Sequence, residues 1–325
     1  MALVDVSAFT VQARTEFMDG MMAAEQKSLP ANYEPFVTKM ASKTLVETHL
    51  WMSNLPRLKE FKGYVPFAKL SVKGYTVTNK EWRVGVEVPK VTIDDDQAGG
   101  YLKQINGLPK RAQEDAGHQV LSHLVAGTSN TCFDGSAFFA SSHTIGSGDN
   151  LDTANSAGSS DGTTHYMIGL VLTNTVVKPV VYQDREPMTS LQTDADTPQA
   201  ALAKDYKYWV DGRFGLAYGY WWDAYHLTIT DTPDLSDCMT HLDQMVSGLR
   251  TFTLPKGDDA DTALYVHENW VPDASNFYVL CNMKLGQKLQ RLATAELVAA
   301  GTSGATITNT WQKGFTVIPT GALGA

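Results

Sequence analysis

Across 325 residues there are only three cysteines, no CxxC pair and no apolar run of the roughly 18 residues a membrane-spanning helix needs. Cys132, Cys238 and Cys281 are odd in number and far apart, which excludes a disulfide framework and a cysteine-rich zinc site and predicts free, buried thiols in a reducing compartment. Acidic residues within Met1 to Gln26 break the pattern of a signal peptide, so a soluble chain made in a cytoplasm is expected. Positive charge is scarce as well. With 26 Lys and Arg against 35 Asp and Glu, a net charge of -9 leaves no basic stripe for phosphates, and contact with DNA should be weak and unspecific.

Catalytic and ligand-binding patterns are equally thin. Neither G-x-x-x-x-G-K nor G-x-G-x-x-G occurs between a strand and a helix. Gly158 to Gly162 spells G-x-S-x-G, the nucleophile elbow of a β-rich serine hydrolase, but it sits in Gly146 to Thr164, a run of small polar residues that reads as a surface loop. His118 and His123 are five apart, off the face a helical zinc site uses, and Asp258, Asp259 and Asp261 lack the glycine and closing glutamate of a calcium loop. The aromatics between Tyr206 and Tyr225 fit a sheet core better than a stacking platform in so acidic a chain. The residues thus name no catalytic, cofactor or metal site, and the chain does not read as an enzyme.

What is present is organised around Phe67 to Ile93. Trp82, Val84, Val86 and Val88 alternate with Arg83, Gly85 and Glu87, the period of a half-buried strand, and Val72, Tyr75 and Val77 precede them across Thr78 to Glu81. This predicts one long hairpin whose apolar face needs cover from outside its own domain, because a lone ribbon is marginal in water. Asp94 to Asp96 then open a helical stretch. Pro109 suggests a short helix followed by a longer one, on which Leu108, Ala112, Ala116, Val120 and Leu124 recur every fourth residue up to a stop at Gly127.

Before the hairpin, Ser7 to Gln26 has helical spacing through Phe9, Ala13, Phe17 and Met21, and residues 1–62 as a whole read as an arm with no dense core. After the loop, His165 to Thr230 is strand-rich. Ser236 to Phe252 predicts a helix, Ala263 to Val266 a short strand, Asn276 to Ala300 a long helix stopped by Gly301, and Phe315 to Ile318 a last strand. That final series describes an α/β unit of its own, and the length allows two structural domains.

Particular residues resemble a known family. Val65-Pro66, Lys69-Leu70, Tyr75 to Glu81, Val86 to Pro89 and Asp95 to Gln97 closely resemble part of the major head subunits of Mu-like phages and prophages. Phe133-Asp134-Gly135, Phe138-Phe139, Ser142-His143, Val177 to Pro179 with Gln183, and Tyr208 to Arg213 running into Gly219 to Trp221 are similar to further stretches of it. The resemblance implies an α+β, Hong Kong 97-like major capsid protein fold. It divides the chain into an N-terminal arm (1–62), an extended loop (63–96), a peripheral domain with spine helix (97–232, flexible loop 144–164) and an axial domain (233–325). The last block follows the aromatic strands here although the family pattern places it before them, which suggests a permutation and predicts that Gly321 to Ala325 lies within about 25 Å of Thr164 to Ile168.

The function the resemblance implies is that of a head protein of a tailed phage or prophage. It would self-assemble into hexamers and pentamers of an icosahedral shell around double-stranded DNA, made in a bacterial cytoplasm and resident in the virion. A separate scaffolding protein, a portal and decoration proteins are implied as partners, and no membrane. An encapsulin-like cargo shell shares the fold and is the nearest alternative. Tyr75, Val77, Trp82, Arg83, Val84, Val86 and Phe17 are the expected contacts between subunits, with Lys69, Lys73 and Arg185 as charged partners.

Overall fold

The computed structural model describes residues 29–52, 63, 72–89, 98–144, 149–154, 164–173, 177–192, 205–230, 232–254, 264–300 and 305–323. Its strands in chain order are β1 (Val37–Ala41), β2 (Val46–Met52), β3 (Val72–Thr78), β4 (Lys80–Pro89), β5 (Leu151–Ala154), β6 (His165–Val171), β7 (Val180–Gln192) and β8 (Asp205–Tyr218). There follow β9 (Ala224–Ile229), β10 (Thr253–Leu254), β11 (Leu264–Tyr265), β12 (Phe277–Asn282), β13 (Leu297–Ala300), β14 (Ala305–Thr308) and β15 (Thr316–Thr320). The described α-helices are α1 (Ala98–Val125), α2 (Leu235–Thr251) and α3 (Met283–Thr294).

Two sheets carry the body. One has the order β1-β7-β8-β4, with β1 parallel to β7 and the other pairs antiparallel. The other has the order β15-β12-β6-β9-β5, and draws its strands from both sides of residue 233. The final α/β series is therefore not a unit of its own: β12 is hydrogen-bonded to β6, from Phe277 opposite Val171 to Cys281 opposite Met167.

The expected hairpin is corrected. β3 and β4 are consecutive but do not pair: β3 pairs with β2, from Val46 opposite Thr78 to Met52 opposite Val72, while β4 pairs with β8 along its whole length. Only Asn79 separates them, too little for a two-residue reversal, and that residue is buried, with its N–H donated to Leu45 O. The apolar face of β4 needs no outside cover either. Val84, Val86 and Val88 pack with Ile105, Leu108 and Ala112 of α1 and with Tyr208 and Val210 of β8.

α1 is one continuous helix of 28 residues rather than two, and it runs straight through Pro109. An interior proline costs about 3 kcal/mol, but Ile105, Leu108 and Ala112 on either side are all buried against the sheet, and that packing holds the helix together. At 1.5 Å per residue it is about 42 Å long. The fourfold series Leu108, Ala112, Ala116, Val120 and Leu124 is buried as expected. Beyond Val125 a 3-10 turn takes over, and a Cβ at Gly127 would come within 2.8 Å of the Phe139 ring, so close approach explains that glycine.

Three further expectations change. Residues 29–41 belong to the body, not to an arm: Leu29 and Phe36 are fully buried and β1 is a sheet member. Within the predicted loop, residues 151–154 form β5 on the edge of the five-stranded sheet, parallel to β9. The long helix over Asn276 to Ala300 is strand, helix and strand, because the aromatic and β-branched run Phe277 to Val279 suits a strand and Asn282 caps α3 by accepting from Leu285 N.

The end of β15, just before residues 321–325, lies within the expected distance of β6. Thr320 lies opposite Asn282, and β12 lies beside β6, so the end of β15 is two strand spacings, about 10 Å, from the start of β6.

Candidate functional site

The β2–β3 ribbon is a two-stranded sheet separate from the two that carry the body. Its alternation gives it two different faces. Val46, Thr48, Gly74, Thr76 and Thr78 are exposed, whereas Glu47, His49, Tyr75 and Val77 turn toward the body. Val77 is buried in the main core, and Tyr75 Oη donates to Thr131 O at 3.1 Å.

The base of the ribbon is fastened by polar side chains. Gln183, fully buried near the start of β7, donates through Nε2 to Asn79 Oδ1 at 2.9 Å and to Ser42 Oγ at 3.3 Å. Its Oε1 accepts from His49 Nε2 at 2.6 Å. Asn79 Nδ2 in turn donates to Ser42 Oγ at 2.9 Å and Thr44 O at 2.8 Å. Glu47 Oε1 accepts from Lys43 N at 2.7 Å and Ser42 Oγ at 2.9 Å, and these bonds hold its carboxyl below the ordinary carboxylate range. One side chain of the body thus engages β2 and both links that join the ribbon to it.

A second polar cluster closes the segment after α1. Cys132, Asp134 and His143 bring ligand-type atoms within 4.8 Å of one another. Asp134 stands between the other two, one oxygen turned to each: Cys132 Sγ donates to Oδ1 at 3.0 Å and His143 Nδ1 to Oδ2 at 2.9 Å. That is a hydrogen-bonded chain, not three donors converging on an ion. His143 Nε2 meets Asn150 Oδ1 at 3.1 Å, an oxygen fixed in place because Ala140 N donates to it. Both ring nitrogens face oxygen atoms, and the ring lies flat on Trp221 with centroids 3.8 Å apart. Burial raises the Asp134 carboxyl, but the bonds from His143, Cys132 and Ser136 outweigh it and bring it down to about 2.

The residues expected at subunit contacts are not assembled on one surface. Trp82 stacks on Phe214 with centroids 5.0 Å apart, and Trp82, Arg83 and Val84 line a groove of about 170 Å³ with Ala112, Ala116 and Met188. Arg83 pairs with Glu81 at 2.7 Å and Asp211 at 3.2 Å on the outer face of the sheet, and Val86 packs beneath α1. Phe17 and Lys69 lie outside the described residues, as do the 158–162 motif and Asp258, Asp259 and Asp261. His118 is exposed and bonded to Ser122, while His123 is stacked on Tyr218, its pKa lowered by burial to about 4, so the two histidines are not brought together. The aromatics from Tyr206 to Tyr225 are largely core. Gln183, Asn79, Ser42 and His49 were not singled out as contacts in the sequence, and no spacing relates them.

A two-stranded ribbon, a long helix and two larger sheets make up the architecture of the Hong Kong 97-like phage capsid proteins. The procapsid protein of bacteriophage JBD30 superposes with a TM-score of 0.66 over 98% of both chains at 22% identity, and the JBD30 capsid gives 0.67 over 90% of this chain and 91% of that one at 18% identity. The sequence narrows the class further. The pattern of the family described as Mu-like prophage major head subunit gpT matches residues 6–321, and the chain belongs to that family, whose members are structural head proteins and not enzymes. It is 31% identical over 227 residues to the Mu-like prophage FluMu major head subunit of Haemophilus influenzae, covering 66% of this chain and 70% of that protein. It is 24% identical over 224 residues to the major capsid protein of Escherichia phage Mu, covering 66% and 71%. A match from residue 6 to residue 321 takes in the strand-rich block and the final block in their present order, so the nearness of the chain end to β6 calls for no permutation. Among the described residues no helix is long and apolar enough to cross a membrane.

Proposed function

We propose that this head subunit builds its shell by self-association into hexamers and pentamers around double-stranded DNA, with the β2–β3 ribbon laid over a neighbouring copy. The observation that carries this reading is the ribbon itself, two strands with no third strand beside them among the described residues. Its inner face is packed on the body through Tyr75 and Val77, while the outward face with Val46, Thr48 and Thr76 is exposed and gains stability from a surface laid against it. Residues 42–79 then serve as the extended loop, in place of 63–96. The β1-β7-β8-β4 sheet with α1 is the peripheral domain, and the five-stranded sheet with α2 and α3 is the axial domain.

Of the expected contacts, Trp82, Arg83 and Val84 retain a role as the rim of the groove beneath α1, while Val77 is occupied inside its own subunit. A separate scaffolding protein, a portal and decoration proteins complete the proposed partners, and the net charge of -9 suits a wall that does not trap DNA. Size-exclusion chromatography and negative-stain electron microscopy of the chain, alone and with its scaffolding protein, test the proposal. Rings, tubes or shells support it. A subunit that stays monomeric in both preparations overturns it.

A further inference from the structure

We infer that Gln183 is a positioning residue: it fixes the angle at which the β2–β3 ribbon leaves the body, and through that angle the curvature with which subunits close. The second half of this statement rests on the proposed shell function; the first half does not. Ribbon strands enter and leave through two links, one containing Ser42 and the other consisting of Asn79. Gln183 bonds both of them and, through His49, the side of β2 that faces the body.

Hydrogen bonds are directional, whereas apolar contact tolerates sliding. The amides of Gln183 and Asn79 are almost wholly buried, so water does not readily replace a partner that moves away. A steric stop reinforces them. At Gly215 of β8 a Cβ would lie 3.0 Å from both Asn79 Oδ1 and Val77 Cγ1, so the ribbon base sits directly on the β8 backbone. Seven residues of strand reach about 23 Å, and a tilt of about 10° at the base displaces the far end by about 4 Å. That is a whole contact distance at a neighbour's surface.

The test uses the full chain with spin labels on Thr76→Cys in the ribbon and Lys110→Cys on α1, both exposed positions, the native thiols being buried. A single narrow distance distribution is expected with Gln183 in place. Gln183→Leu, which keeps the volume and removes the amide, should broaden or shift it while circular dichroism stays unchanged. Gly215→Ala should shift it by lifting the base, and decides the matter if Gln183→Leu fails to fold. In assembly with the scaffolding protein, both variants should give open, tubular or wrongly sized particles. A folded Gln183→Leu chain with the unaltered distribution overturns the positioning role. An altered distribution with shells of unaltered diameter overturns the link to closure, and a parent chain that never forms shells removes the function reading while the distance measurement still decides the hinge.

Discussion

The five-stranded sheet and the ribbon are held by different forces. Met167, Ile168 and Leu170 of β6, Leu227 of β9 and Val279 and Leu280 of β12 are all fully buried, and the apolar packing around them is non-directional. At the ribbon base Val77 alone enters the core, the other anchoring side chains are Ser42, Glu47, His49, Asn79 and Gln183, and the outward face carries Thr48 and Thr76. Apolar burial supplies stability in bulk; a few bonds of fixed length and angle supply orientation. A shell subunit needs both, in separate places.

That contrast can be broken most severely in the core. Phe277→Ala removes a fully buried ring that meets Trp270 edge-on at 5.3 Å, and should destabilise the subunit by about 3–5 kcal/mol in a denaturant titration. A loss below about 1 kcal/mol would mean that this sheet is not the stabilising element.

The Asp134–His143 pair comes next. With the Asp134 carboxyl lowered to about 2 from an ordinary 3.8, its contribution is fully present above about pH 4 and is lost as pH falls toward 2. Denaturant titrations should lose about 2 kcal/mol over that window, and Asp134→Asn should flatten the dependence. Equal acid sensitivity in the variant would assign the effect to other groups.

Glu47 should show the orienting side of the contrast. Its pKa is lowered in the folded chain, so its contribution is present above its ordinary value of 4.5 and is lost as pH falls through the folded value. Amide exchange, corrected for its intrinsic pH dependence, should lose protection in β2 and β3 before β6 or β12 does. Simultaneous loss in ribbon and sheet would erase the distinction drawn here. Least of all, Arg83→Ala removes two pairs, to Glu81 and Asp211, whose arginine side chain is 59% exposed, and unfolding should move by less than about 0.5 kcal/mol.

Local periodicity made α1, α2 and β4 legible, since each buries a face that recurs at the period of its own element, whereas β6, buried on both faces, was legible as a continuous apolar run. Partner choice was not legible in the same way. β3 and β4 have complementary patterns and near-contiguous positions, which suggests a hairpin, but whether Asn79 reverses the chain or passes it between sheets is decided by Gln183, Ser42 and Leu45, distant in sequence. Leu280, Leu285, Leu289, Leu292 and Leu297 resembled one helix because steps of three to five residues persist across the boundaries; the Asn282 cap was the local signal that divides it. Pro109 misled in the opposite sense, since its local penalty is outweighed by packing on strands nearly a hundred residues away. The hinge itself has no signature. A glutamine inside an apolar strand gains meaning only when two other segments fold against it.

The order of strands in the five-stranded sheet also bears on the subunit's birth. β6 stands between β9 and β12, yet residues 277–282 are synthesised long after 165–171. At about 5–20 residues per second the wait is about 5–20 s, far longer than the microseconds to milliseconds of local collapse. Throughout it Met167, Ile168 and Leu170 lack one flanking strand, so the nascent chain leaves apolar surface uncovered and its folding is expected to complete late in translation or after release.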